Sequence, residues 1–138
     1  MIINAEDLVL GRLASFVAKK ALLGEKIDIV NVEKAVVSGA RLHTLEHYRR
    51  KRVRGYALHG PYFPRDPMRI VKRTIRGMLP YKRGKGREAF KRIHCYVGVP
   101  KEFEGKRFET VKGAEVSKIY RTKFVTVAEI SKHLGHKR

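Results

Sequence analysis

The sequence predicts an α/β fold in a single domain, residues 1–138. Two observations carry the prediction. Short β-branched runs flank a segment of helical periodicity within residues 1–40, and apolar runs alternate with helical segments again further along the chain. A chain of 138 residues buries roughly two-thirds of its unfolded surface, so its core needs neither a disulfide nor a metal.

Met1, Ile2 and Ile3 form the first apolar run, and Asp7 to Leu10 lead into a helix. From Gly11 onward Leu13, Ala14, Phe16, Val17, Ala21 and Leu22 recur at helical spacing, and Gly24 closes the segment. The alternating, β-branched run Ile27 to Val32 reads as a strand, followed by Ala35, Val36 and Val37 before Ser38 and Gly39. Strands on either side of one helix predict a βαβ unit, with a right-handed crossover and a sheet covered on both faces. Residues 41–54 read as a helix with Leu42, Leu45 and Tyr48 on one side and a run of cations at its end. The stretch "GYALHGPYFPRDP" reads as a binding loop, since its prolines and glycines suit neither helix nor strand. Asp66 and Pro67 form a good N-cap and first helical position for a helix carrying Ile70, Val71, Ile75, Met78 and Leu79. Pro80 ends it. A basic loop from Tyr81 to Arg87, a short helix from Arg87 to Arg92 and a strand from Ile93 to Gly98 follow. Thr126 and Glu129 form a capping box for a last helix ending near Gly135.

Charge narrows the function. The formal net charge is +19, from 32 basic against 13 acidic side chains. Residues 1–40 are balanced at five and five, residues 93–138 hold ten basic and five acidic, and residues 41–92 hold 17 and three, net +14. Such a surplus repels itself in the compact state unless an anionic partner neutralises it, and a polyphosphate backbone is the usual one. No apolar stretch approaches the roughly 18 residues of a spanning helix, and the N-terminus lacks the basic flank and apolar run of a secretory signal. No membrane partner and no export are therefore expected. A single cysteine, Cys95, excludes an internal disulfide and fits a reducing, cytoplasmic compartment.

Candidate chemistry is sparse. His43, Glu46 and His47 match the H-x-x-E-H string of a zinc site, but no third ligand is evident and the adjoining cations disfavour a dication. Solvated histidines are the expected reading, with no metal and no cofactor. His94 adjoins Cys95 on a strand and so points to the opposite face, which leaves the thiol a buried hydrophobe rather than a nucleophile. The string Arg83, Gly84, Lys85, Gly86, Arg87 lacks the Ser/Thr ending of a P-loop. As a nucleic-acid contact it is better, because glycines let the backbone approach phosphates.

The RNA-binding candidates are Arg49, Arg50, Lys51, Arg52, Arg54, His59, Arg65, Arg69, Lys72, Arg73, Arg76, Lys82, Arg83, Lys85 and Arg87. Tyr56, His59, Tyr62 and Phe63 can stack on unpaired bases, although Tyr62 and Phe63 could equally fill the core. Gln is absent and Asn scarce, and the charge is spread over helices and loops. That distribution suits an irregular RNA better than one groove of duplex DNA.

The string Ile75, Arg76, Gly77, Met78, Leu79, Pro80, followed by a basic loop and an apolar strand ending in Gly98, Val99 and Pro100, resembles the signature of ribosomal protein thirteen of the large subunit. "LGRLASFVAKKALLGE" and "IDIVNVEKAVVSG" are similar to that family's opening helix and strands, and "HGPYFPRDPMRIVKRTIRGMLP" resembles its archaeal and eukaryotic branch. Cys95 departs from the aliphatic residue usual there. The resemblance implies a three-layer α/β/α fold around a small, mainly parallel sheet. It also implies a structural place in the large ribosomal subunit, with ribosomal RNA and neighbouring large-subunit proteins as partners, no catalysis and no small-molecule substrate. Met78 and Leu79 are expected to dock the helix end on the core, so that the basic loop is held rigidly against RNA. An RNA-processing enzyme and an architectural DNA-binding protein are the alternatives that the same charge allows.

Overall fold

The computed structural model describes residues 1–118 and 123–136. It is a mixed α/β fold with a small parallel sheet, as the sequence predicts. Strand β1 (Ile2–Asn4), helix α1 (Leu10–Leu22) and strand β2 (Ile27–Val30) form the βαβ unit, with β1 parallel to β2 and Ile3 opposite Ile29. β4 (Ile93–Cys95) adds in parallel on the other side of β2, with Ile29 opposite Cys95. Side chains alternate along each strand. Ile3, Ile27, Ile29, Ile93 and Cys95 therefore share a buried face, while Ile2, Asp28 and His94 stand part-exposed on the other. Helix α1 buries Leu13, Ala14, Val17 and Ala21, and helix α3 (Pro67–Gly77) buries Ile70, Val71 and Ile75. The two helices pack on each other, α1 against β2 and α3 against β4.

The run Ile27–Val32 is not all strand. Asn31 takes a left-handed conformation with φ 54° and starts a 3₁₀ turn, Val32–Lys34, which redirects the chain. β3 (Val36–Ser38) therefore joins a second, antiparallel pair with β5 (Phe124–Thr126). β5 was not legible in the sequence, being only three residues long with its partner far away in the chain. β4 likewise stops at Cys95 instead of Gly98, where Gly98 adopts φ 67°.

Helix α2 (Arg41–Val53) buries only Thr44 fully. Leu45 and Tyr48 pack against the core, but Leu42 is 84% exposed and does not share their face. The Asp66 cap matches expectation, its carboxylate accepting from the Met68 N–H at 3.1 Å, but only half of the expected capping box forms: the Thr126 hydroxyl accepts from the Glu129 N–H at 3.2 Å at the start of α5 (Val127–His133), while the Glu129 carboxylate lies 3.6 Å from Arg41. The clasp after α3 divides. Leu79 is buried at 7% exposure, whereas Met78 is 41% exposed and rests on the surface of α1, so Leu79 alone enters the core. Helix α4 (Gly84–Lys91) begins three residues before the expected Arg87, so half of the expected basic loop is a helical turn.

Candidate nucleic-acid interface

The basic segment forms a continuous run of α2, a projecting loop, α3 and the first turn of α4. In α2 the cations Arg50, Lys51 and Arg52 fall in the last turn, where they suit the negative end of the helix dipole. Glu46 lies 3.7 Å from Arg49 and 3.8 Å from Arg50. Exposed pairs of that length contribute little, so both arginines stay available to an outside anion. Lys51 stands over the Tyr48 ring, 5.3 Å from its centroid.

The loop after α2 is closed on itself. The Gly60 N–H donates to the Tyr56 carbonyl at 2.9 Å, and the Tyr62 hydroxyl to the Ala57 carbonyl at 2.6 Å. Gly55 has φ 96°, and a Cβ there would run into the Gly60 carbonyl, so only glycine allows the two sides of the neck to touch. The tip presents Tyr56 at 82%, Leu58 at 88% and Tyr62 at 68% exposure, with His59 exposed beside them. Tyr62 is thus not a core residue. Phe63 is: it packs against the core and meets Tyr48 edge-on at 5.8 Å. Sequence reasoning does not single out Leu58, whose one signal is its place between Tyr56 and His59.

Beyond α3, Gly86 explains why a glycine-rich string starts a helix. A Cβ on Gly86 would collide with the Pro80 carbonyl, so this glycine serves close packing within the protein rather than an approach to phosphate. The first turn of α4 holds no acidic residue and no side chain caps it. Its free N–H groups therefore add to the positive field of Lys82, Arg83, Lys85 and Arg87, all exposed.

The fifteen candidates sort by what already engages them. Arg52 and Arg73 donate to the Phe63 and Tyr62 carbonyls, and Arg65 to the Gly135 carbonyl at 3.3 Å. Lys72 lies over the Phe90 ring and Arg76 over that of Tyr81. Arg54, Arg69, Lys82, Arg83, Lys85 and Arg87 form no side-chain hydrogen bond or ion pair among the described residues. They are exposed, uncompensated charges.

The other candidates are placed elsewhere. His43 and His47 are both exposed on α2, where burial and the charges of Lys51, His43 and Arg50 push the His47 pKa below its usual value. No group of three metal-ligating side chains is found among the described residues. Cys95 is buried, and burial pushes its thiol up to about 12, too high for a thiolate near neutrality. His94 faces away from Cys95 toward Asp28, its Nδ1 3.6 Å from the carboxylate. A depression of about 320 Å³ is lined in part by Glu33, Ser131, Lys132 and His136. There the Glu33 carboxylate accepts from the Gly98 N–H at 3.1 Å and Ser131 donates to the Arg65 carbonyl, so both groups are occupied in holding the fold.

Residues 1–102 match the family model described as Ribosomal protein L13. The chain belongs to the ribosomal protein L13 family. Curated relatives extend the match across the remainder of this L13 chain. It is 51% identical over 137 residues to large ribosomal subunit protein uL13 of Methanosarcina barkeri, and 49% identical over 136 residues to that of Methanococcoides burtonii. With the protein of the same name from Methanocaldococcus jannaschii it shares 49% identity over 140 residues. Each match covers 99% of this L13 chain and 98% of the relative.

Proposed function

We propose that the chain is a structural component of the large ribosomal subunit, bound to ribosomal RNA through the basic surface of residues 41–92. The observation that carries the reading is the coincidence of family membership with a segment of net charge +14, in which six of the candidate cations are exposed and form no hydrogen bond or ion pair among the described residues. Phosphate contacts are assigned first to Arg54, Arg69, Lys82, Arg83, Lys85 and Arg87, and next to Arg49 and Arg50, whose pairs with Glu46 are long and exposed. The exposed tip supplies stacking surface at Tyr56, His59 and Tyr62. Mixed cations and aromatics on an irregular outline suit folded RNA with unpaired bases. Neighbouring large-subunit proteins are the second class of partner. The role is structural and not catalytic, in keeping with membership of the ribosomal protein L13 family.

The reading is tested by sedimentation of a tagged chain from lysate. Co-migration with large subunits is expected, and a chain that stays at the top of the gradient sinks the proposal. Comparing affinity for structured RNA and duplex DNA at equal salt separates it from an architectural DNA-binding protein.

A further inference from the structure

We infer that Arg52 and Arg73 are positioning residues that clamp the aromatic loop from two helices and present its tip to RNA, rather than phosphate contacts themselves. The inference rests on the RNA-binding reading above and divides its cations by task. Arg52 comes from the end of α2 and Arg73 from the middle of α3, yet they reach consecutive carbonyls of one strand of the loop. The Arg52 Nη1 donates to Phe63 O at 3.4 Å, and the Arg73 Nη1 to Tyr62 O at 3.3 Å. The Arg73 guanidinium also covers the Phe63 ring at 4.9 Å from its centroid, while Tyr48 meets that ring edge-on. Phe63 is thereby held between α2 and α3.

Both arginines are part-buried, unlike the exposed Arg54 and Arg69 near them in sequence. Every donor turned inward is withdrawn from an outside phosphate. The clamp sits at the foot of the loop, and above it the Gly60 to Tyr56 and Tyr62 to Ala57 hydrogen bonds close the tip. An exposed loop of this kind loses conformational freedom on binding, and fixing it beforehand reduces that cost. Arginine is required because a planar guanidinium can stack and donate at once, whereas an ammonium is a compact point charge.

The test uses the full chain, transcribed large-subunit ribosomal RNA of an archaeon, and the variants Arg52→Gln, Arg73→Gln and Arg73→Lys. Each variant is expected to weaken binding roughly tenfold, the size of one lost base stack, with the log–log salt slope unchanged. Arg73→Lys, which keeps the charge, should be as poor as Arg73→Gln. In the free protein, exchange of the Gly60 amide should accelerate in all three while the core melts as in the wild type. The inference is overturned if Arg73→Lys binds like the wild type and Arg73→Gln lowers the slope by about 0.7–0.9, the signature of one lost phosphate. It is equally overturned if all three bind normally, since the clamp would then be irrelevant to RNA. A wild-type chain without affinity for the RNA defeats the functional reading, and Gly60 exchange still decides whether the two arginines hold the loop.

Discussion

At the scale of single residues, neighbours in sequence perform different tasks because their side chains leave the backbone in different directions. Met78 and Leu79 form one apolar pair on paper, but Leu79 turns into the core while Met78 lies over α1, its sulfur 3.4 Å from the Ser15 hydroxyl. Leu79→Ala should therefore lower stability by about 2–5 kcal/mol, measured by chemical denaturation. Met78→Ala should stay within about 0.5 kcal/mol of the wild type, as exposed substitutions usually do. Equal losses at the two positions would show that both side chains are buried. The same division separates Tyr62, on the surface, from Phe63, which packs against the core.

At the scale of elements, the contact between the start of α4 and the turn before it fixes where the helix begins. Gly86 lies against the Pro80 carbonyl with no room for a methyl group. Gly86→Ala ought to help an isolated helix by about 1 kcal/mol on intrinsic propensity. Here it should instead destabilise the protein by about 1–3 kcal/mol, as overpacking does. A raised melting temperature would refute the packing account. Sequence reasoning reads this string as a loop because glycine is a poor helix former, and nothing local in the sequence reports the Pro80 carbonyl.

At the scale of the whole molecule, the basic segment is charge set against stability. Lys82, Arg83, Lys85 and Arg87 crowd the positive end of the α4 dipole, where cations are unfavourable. Replacing all four with Gln should reduce the log–log slope of RNA binding against salt by about 3, four contacts at 0.7–0.9 each. The thermal midpoint should be no lower than that of the wild type. Unchanged affinity and slope would remove this patch from the interface and leave the contacts to Arg49, Arg50, Arg54 and the loop around His59. Lost stability would show that the cations hold the fold.

The sequence by itself determined the α/β class, the βαβ opening, both side-chain caps and the segment in which the positive charge gathers. These follow from periodicity, turn chemistry and composition, which are local properties of the chain. The resemblance to ribosomal protein thirteen was legible too, in strings such as Ile75 to Pro80. Only the tertiary structure decided that β3 pairs with β5, that Leu42 faces outward, that Met78 lies over α1 while Leu79 enters the core, that α4 starts at Gly84, and which candidate cations are left free among the described residues. Three of these depend on a group that the local pattern does not report: β5, far along the chain, for β3; the Pro80 carbonyl, across the preceding turn, for Gly86; and the Phe63 ring and the Tyr62 carbonyl, on the loop before α3, for Arg73. Periodicity records which face a residue turns inward within its own element, but what meets that face is set by packing between elements.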